Sequence, residues 1–400
     1  MSDDRVSDSL NIVFIGGFPY PQGMAGTKRI QHAIDGMKRL GNVKSGVIVL
    51  RQSSTANIPT GVYQGTPYET VMPDLMRIKL VLLAPLFYAK ARHAIRSAFD
   101  SNRKNILFVY GPPEIDNVPL VGFARRLGYK IVFDIVEDDD AAAEISVSLY
   151  HRLKNFYTRR RTARIASLAD GIVVISSHLE RKFSLLSQDS IPIHLRPISV
   201  DFSRFEASLD ENCQSRRLFY AGSFGVKDGV HNLLDAFDVL AQRYSFLRLV
   251  MTGKGSHEDL QPVLNRIARS PFGERIEYRG FLDDDTYYKL LQLPGLIPCM
   301  TRIDLPYAHG GFPFKLGEFL ATGKPVIASR VSDVGRFLTD KEDALLVSPG
   351  SVGDIVDAVE FIQNNPEAAL KIGKLGKCRA FTCFDLHSQA HFLRNYLLEV

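Results

Sequence analysis

The sequence predicts an α/β protein of two Rossmann-like domains that face each other across a cleft. Three observations predict it. The order strand, glycine-rich loop, helix, strand begins at residue 11 and starts again at residue 217. Glycines follow the predicted strands directly, where doubly wound sheets carry their ligand loops. The length, 400 residues, accommodates two domains of ordinary size.

The first strand, 11–15, is apolar and ends at Gly16-Gly17. A loop with Pro19, Pro21, Gly23, Ala25 and Gly26 leads into a helix over 27–40, where Ile30, Ala33, Ile34 and Met37 recur at helical spacing. Gly41 stops that helix, and 47–50 is the next strand. Residues 52–74 lack a strong period and read as a long loop, and 75–100 read as helical. Strand 106–110, helix 118–127 and strand 131–135 follow, the last ending in the acidic run Glu137-Asp138-Asp139-Asp140. A long helix is expected over 143–168, then strand 171–175, with Ser176 opening another helix.

The segment Arg196 to Phe205 reads as the hinge. Beyond it the rhythm restarts: strand 217–221, loop Gly222-Ser223-Phe224-Gly225, helix 230–242, strand 247–252 and loop Gly253-Lys254-Gly255. Strand 276–279 leads to Gly280, helix 284–292 to a short strand at 295–298. Strand 344–347 and helix 352–364 come next, and an amphipathic helix begins near Leu386. The expected domains are therefore 1–203 and 204–385.

Composition restricts the class. Hydrophobic residues make up 45% and charged residues 23%, the proportions of an ordinary soluble globular protein. The four cysteines, Cys213, Cys299, Cys378 and Cys383, form no Cys-x-x-Cys, and no His pair has zinc spacing. They read as scattered thiols of a reducing cytosol. The N-terminus is polar and acidic, unlike a secretory leader. The most apolar run, Leu80 to Ala89, is far shorter than the ~20 residues that span a bilayer. The first 200 residues carry a net charge of +8 and the remainder −3. That basic half suits an anionic acceptor or membrane surface, or is simply a solvated surface. The Leu80–Ala89 run with Arg159-Arg160-Arg161 gives the same two readings.

The most chemically informative stretch is Phe312 to Ser329. Pro313 suits a first helical turn, Gly323 a left-handed helix stop, and Val326-Ile327-Ala328 a strand covered on both faces. Lys315 and Glu318 share one face of the intervening helix. A helix start seats phosphate, and a carboxylate one turn further on accepts hydrogen bonds from vicinal hydroxyls.

This run resembles the C-terminal donor motif of GT-B-fold glycosyltransferases, specifically the retaining family 4. In that family a Glu before "x-hydrophobic-Ala-x-Gly-x-Pro-Val" holds the nucleotide ribose, and Glu318 occupies that place. Pro313, Lys315 and Glu318 match the family's Pro-x-Lys-x-x-Glu variant. An earlier family Glu falls at Gly310, within His309-Gly310-Gly311. Pro197, Asp201 and Phe205 match the family's hinge pattern. The loop Gly222 to Gly229 resembles the one that stabilises the leaving diphosphate; Ser223 stands at the usual Arg, and Lys227 lies one position early because Asp228 intervenes.

The resemblance implies further roles. Arg279-Gly280-Phe281 corresponds to the loop that contacts the base, and Gly253 belongs with the donor loops. His309, Gly310, Gly311, Pro313, Phe314, Lys315 and Leu316 border the donor sugar and phosphates. Gly17, Gly23, Ala25 and Gly26 correspond to the loop near acceptor and donor phosphates. Lys28 and Arg29 follow that loop and read equally as a solvated first turn. Glu137 and Asp138 would orient the acceptor hydroxyl or take its proton, or form an exposed acidic turn. The final helix, about 386–400, is expected to return to the N-terminal domain.

The function expected is transfer of a sugar from a nucleotide-diphosphate donor to a hydroxyl of a glycan or glycolipid. Retention, no resident metal or other cofactor, and a place in cell-surface polysaccharide or lipopolysaccharide assembly follow from the resemblance. Lys227, Glu318, Glu137 and Asp138 are the expected catalytic residues. The expected location is cytoplasmic, on or near the inner face of the membrane, with no nucleic-acid partner. A non-catalytic scaffold of the same fold, or a sugar-nucleotide epimerase, is the alternative.

Overall fold

The computed structural model describes residues 9–52, 59–73, 83–138, 149–205 and 216–400. The chain forms two compact units. One comprises the residues up to Pro197 together with Leu386–Val400, the other Ile198–Asp385. The division falls earlier than the 203/204 boundary expected from sequence. Ile198 and Val200 lie against Gly317, where an added Cβ would sit 2.7 Å and 2.6 Å from their side chains. The Val200 N–H also bonds the Phe384 carbonyl at 2.8 Å, so this stretch belongs to the second unit.

In the first unit the described elements are β1 (Leu10–Gly16), α1 (Ala25–Leu40), β2 (Val43–Gln52), β3 (Thr60–Tyr63), β4 (Thr66–Pro73), α2 (Ala84–Ser97), β5 (Lys104–Tyr110), α3 (Val118–Leu127), β6 (Lys130–Ile135), α4 (Leu149–Thr162), α5 (Ile165–Leu168), β7 (Gly171–Val174), α6 (Ser177–Ser187) and β8 (Ile193–Leu195). The eight strands form one sheet in the order β3-β4-β2-β1-β5-β6-β7-β8. Every pairing is parallel except the β3–β4 hairpin. Strands buried on both faces read as continuous apolar runs, as Ile12 to Ile15 and Ile106 to Val109 do.

Part of the stretch expected to be a loop, 52–74, is that hairpin. Gln64 and Gly65 turn it with φ of 47° and 75°, and Tyr68, Val71 and Met72 are buried. Its polar edge strand hid the period. The helix expected over 75–100 is described from Ala84 to Ser97; residues 74–82, with Leu80 to Leu82 of the apolar run, lie outside the described residues. The single helix expected over 143–168 is, where described, two helices, because the chain turns at Ala163 and Arg164.

The second unit contains β9 (Arg217–Gly222), α7 (Val230–Arg243), β10 (Arg248–Gly253), α8 (His257–Arg269), β11 (Ile276–Tyr278), α9 (Asp284–Leu291), β12 (Leu296–Met300), α10 (Phe314–Ala321), β13 (Ile327–Ser329), α11 (Val334–Phe337), β14 (Leu345–Val347), α12 (Val352–Asn364) and α13 (Pro366–Phe384). Its six-stranded sheet is wholly parallel in the order β11-β10-β9-β12-β13-β14. The apolar sides of α7 and α12 and the strands between them form its core, with Leu233, Phe237, Leu249 and Val359 fully buried. The last helix, α14 (Leu386–Glu399), lies on α1 in the first unit. Gly36 admits it closely, since a Cβ there would meet Ala390 at 2.5 Å. The Tyr396 hydroxyl donates to the Ile172 and Pro192 carbonyls at 3.0 Å and 2.8 Å.

One buried ion pair ties the first unit's layers together. Arg29 on α1 reaches Asp134 on β6 with Nε–Oδ2 at 2.8 Å and Nη2–Oδ1 at 2.7 Å, and Asp134 is fully buried. The same guanidinium bonds the carbonyls of Arg196 and Pro197 at 3.0 Å and 2.7 Å. Arg29 is thus not part of a solvated first turn. Breaking a buried pair leaves an uncompensated charge, so Asp134→Asn is expected to cost about 3–5 kcal/mol in urea unfolding.

His194 supplies an acid-sensitive point. It stacks on Tyr396 at 5.1 Å between ring centroids, and its Nε2 is buried with no hydrogen-bond partner. Burial, reinforced by the charges of Arg196 and Arg29, lowers its pKa to about 4. The unfolded chain then binds the extra proton between about pH 6.5 and 4. Stability should fall through that window as the pH drops. His194→Phe keeps the stack and should flatten that part of the pH profile of the melting temperature.

Candidate functional site

Three glycine loops meet at the carboxyl ends of β9, β10 and β11, packed backbone to backbone. A Cβ on Gly253 would lie 1.9 Å from the Gly222 carbonyl, and one on Gly255 would lie 2.4 Å from that of Ser223. Gly253 adopts φ +127°, open to glycine alone. Its N–H bonds the Gly280 carbonyl at 2.9 Å, which also accepts from Thr252 Oγ1 at 2.7 Å. The Tyr278 hydroxyl closes the group on the Gly253 carbonyl at 2.9 Å.

Asp228 holds the first loop in shape. Its Oδ2 accepts from Ser223 Oγ at 2.6 Å and the Gly225 N–H at 3.1 Å. Lys227 precedes it, half-buried, and α7 follows from Gly229 with no side-chain cap on its first turn. A chain of bonds then runs from this loop to the motif of the sequence reading. The Ile303 N–H bonds the Lys227 carbonyl at 3.1 Å, the Arg302 N–H bonds Ser329 Oγ at 2.8 Å, and Ser332 Oγ bonds the His309 carbonyl at 3.1 Å.

Helix α10 begins at Pro313 as its cap residue, and no side chain caps it. Its Gly stop is as the sequence requires, with Gly323 at φ +74°. Glu318 is 2% exposed, yet it is well bonded. Oε2 accepts from Tyr287 at 2.8 Å and from Lys315 at 2.9 Å, and Oε1 accepts from Tyr288 at 2.9 Å. Lys315 Nζ also stands 3.9 Å from the centre of the Tyr287 ring. Burial alone would raise the Glu318 pKa. The Lys315 charge and the bonds from Lys315 and both tyrosines outweigh it, so the carboxyl stays below its usual range. Burial and the Glu318 charge push both phenols well above theirs.

Glu318 is therefore not the open acceptor that the motif suggests. Of about four lone-pair sites on a carboxylate, three are taken by donors within the unit. Lys315 is the exposed end of the cluster, its side chain 34% accessible.

The remaining predicted donor residues are placed variously. Phe281 is exposed beside Gly280, which has φ +67° and open space at its Cβ, and Lys254 lies 4.8 Å over its ring. Arg279 folds away from the loop onto Glu277, with Nε–Oε1 at 2.7 Å. His309 Nε2 pairs with Asp304 at 2.6 Å. Gly310 and Pro313 are buried, Gly311 and Phe314 half-buried, and Leu316 is fully buried core that presents only its backbone.

In the first unit, Asp138 is buried and doubly engaged, with His178 Nε2 at 2.8 Å and Lys182 Nζ at 2.6 Å, whereas Glu137 is exposed. Asp139 and Asp140 lie outside the described residues. Glu137, Arg159 and Lys182 line an open recess. Gly17 and Ala25 are exposed. Gly23 and Gly26 make room for Thr27 and for the Tyr110 hydroxyl, which added Cβ atoms would meet at 1.9 Å and 2.5 Å.

The sequence reading missed Tyr287, Tyr288, Asp134, His178 and Lys182. The paired tyrosines had a signal: two adjacent aromatics in a helix that opens on the acidic cap Asp283, whose Oδ1 accepts from the Thr286 N–H at 2.9 Å. Among the described residues, no group of His, Cys, Asp and Glu is arranged to hold a metal ion, and no helix is long and apolar enough to cross a membrane.

Comparison with known proteins accords with this architecture. Residues 215–365 match the family model of group 1 glycosyl transferases. A sucrose-phosphate synthase from Thermosynechococcus elongatus superposes with a TM-score of 0.75 at 14% identity, over 96% of this chain and 97% of its own. The Anabaena protein HepE, solved in complex with UDP and glucose, gives 0.72 at 14% identity, over 97% and 100%. The uncharacterized glycosyltransferase YqgM of Bacillus subtilis is 22% identical over 57% of this chain and 60% of its own length. The MMP alpha-(1->4)-mannosyltransferase of Mycolicibacterium hassiacum is 25% identical over 50% and 46%. The chain thus spans about half to three fifths of these two relatives. It has the GT-B fold, and its second unit matches the group 1 glycosyl transferase model over residues 215–365.

The Glu318 cluster is testable by stability. Glu318→Ala orphans two buried phenols and should cost on the order of 1–3 kcal/mol for each in urea unfolding. A carboxyl with a lowered native pKa stabilises above its unfolded value of about 4.3 and loses that effect as the pH falls through the native value. The stability gap between the two proteins should therefore narrow as the pH falls below about 4.3.

Proposed function

We propose that this chain is a retaining glycosyltransferase that moves a sugar from a nucleoside-diphosphate donor to a hydroxyl of a glycan or glycolipid. The observation that carries the reading is the set of glycine loops at the strand ends, joined by hydrogen bonds to the His309–Lys315 segment. Such backbone lets a diphosphate approach closely, and the uncapped starts of α7 and α10 offer N–H groups to it. Lys227 and Lys315 supply positive charge.

In the reaction the bond between the sugar C1 and the diphosphate oxygen breaks, and a bond between C1 and the acceptor oxygen forms. The nucleoside diphosphate leaves with the bonding pair, and the acceptor proton passes to it or to a nearby base. Cations and N–H groups that meet the developing charge lower the barrier. In this reading Lys227 neutralises the leaving group, Phe281 stacks on the base and Lys315 touches the phosphates. Glu318 holds Lys315 in place and keeps one lone pair for the ribose. Glu137, with the Asp138–His178 pair, serves the acceptor in the first unit.

Retention, and a role in cell-surface polysaccharide or lipopolysaccharide assembly, complete the proposal; both come from the resemblance to family 4. The basic first half suits a lipid-linked or anionic acceptor at the inner face of a membrane.

The test is incubation of the full chain with a panel of nucleotide sugars, following release of nucleoside diphosphate with and without sugar acceptors. Acceptor-dependent release is expected with one donor class, and Lys227→Ala should lower kcat more than it raises donor KM. Binding of no nucleotide sugar by calorimetry, and no release, would overturn the reading.

A further inference from the structure

Arg302 stands directly beyond β12, where the chain passes the first glycine loop. Its backbone is fixed on three sides: its N–H bonds Ser329 Oγ at 2.8 Å, its carbonyl accepts from Gly350 at 3.0 Å, and the next N–H, of Ile303, bonds Lys227. A Cβ on Gly229 would lie 3.3 Å from the Arg302 Cα, so the two segments are in direct contact. The Lys227 and Arg302 side chains therefore leave neighbouring, hydrogen-bonded backbones.

The guanidinium is under-used. Its side chain is 15% exposed. Nε is buried without a hydrogen-bond partner. Nη2 comes within 3.9 Å of Asp228 Oδ1, an ion pair too long for a hydrogen bond. Asp228 spends its other oxygen on Ser223 and the Gly225 N–H. A planar fork of five donors thus lies beside a glycine loop and a lysine with few of its bonds made among the described residues. Burying such a cation without partners is costly, and a bound oxyanion removes that cost.

We propose that Arg302 is a diphosphate-binding residue that clamps the phosphate oxygens of the donor together with Lys227 and the Gly222–Gly229 loop. This assignment rests on the donor reading above. The fork geometry suits two phosphate oxygens at once, which a single ammonium does not. In the free chain Asp228 holds the guanidinium at its 3.9 Å approach, ready to pivot onto the ligand.

The test measures UDP, GDP and the corresponding nucleosides by calorimetry on the full chain and on Arg302→Gln. The unaltered chain should bind one diphosphate at least tenfold tighter than its nucleoside. R302Q should lose about tenfold to hundredfold for the diphosphate and little for the nucleoside. An unchanged ratio in R302Q overturns the role of Arg302 while leaving the donor reading intact. No diphosphate preference in the unaltered chain, with no turnover of any nucleotide sugar, overturns both. A second measurement needs no variant: the preferred diphosphate should slow modification of Arg302 by phenylglyoxal, mapped by peptide mass spectrometry, and its nucleoside should not. Equal modification in the presence and absence of the diphosphate overturns the assignment.

Discussion

A carboxylate can remain charged inside a protein only if its surroundings supply donors, and Glu318 meets that constraint three times over. The consequence reaches beyond one side chain. Satisfying Glu318 draws α9 against α10 through the two tyrosines and sets Lys315 over the Tyr287 ring. Phe219 on β9 packs on both Tyr287 and Phe319, so the same cluster rests on the strand that feeds the first glycine loop. The end of the second unit that bears the first glycine loop is therefore braced from beneath by one buried charge.

The glycine loops show a different economy. Several of their glycines are required by the protein's own packing: Gly253 and Gly255 sit where backbone oxygens leave no room for a side chain. That packing also sets the loops against one another. Preorganised N–H groups are worth more to an anion than mobile ones, because no further order is imposed on binding. Asp228 adds to the effect by fixing Ser223 and Gly225 from within. Gly280, by contrast, has open space about it.

The first unit depends on its own buried charge pair. Arg29 and Asp134 join α1 to β6 and catch the carbonyls of Arg196 and Pro197, where the chain leaves the unit. The final helix returns to the same unit, held by Gly36 against Ala390 and by the Tyr396 hydroxyl at the ends of β7 and β8. Asp138, which reads from sequence as a carboxylate serving the acceptor or as part of an exposed acidic turn, is buried and is the shared partner of His178 and Lys182 on one face of α6. The pair lies one turn apart on that helix, a spacing visible in the sequence only once its partner is known.

The sequence by itself determined the α/β class, the twofold repeat of the strand–loop–helix rhythm, the glycine loops and the α10 segment with its Gly323 stop. Those features are written in local pattern: apolar period, turn residues and backbone freedom. It left the β3–β4 hairpin unread, because an edge strand with alternating exposure carries little apolar signal. Tertiary structure alone decided which charges are buried and what answers them. Glu318 with Tyr287 and Tyr288, Arg29 with Asp134, Asp138 with His178, and Arg302 beside Lys227 all join residues about 30 to 105 positions apart, or 75 in the last case, across elements that only folding brings together. A carboxylate's role depends on its burial and its donors, and no local pattern specifies either.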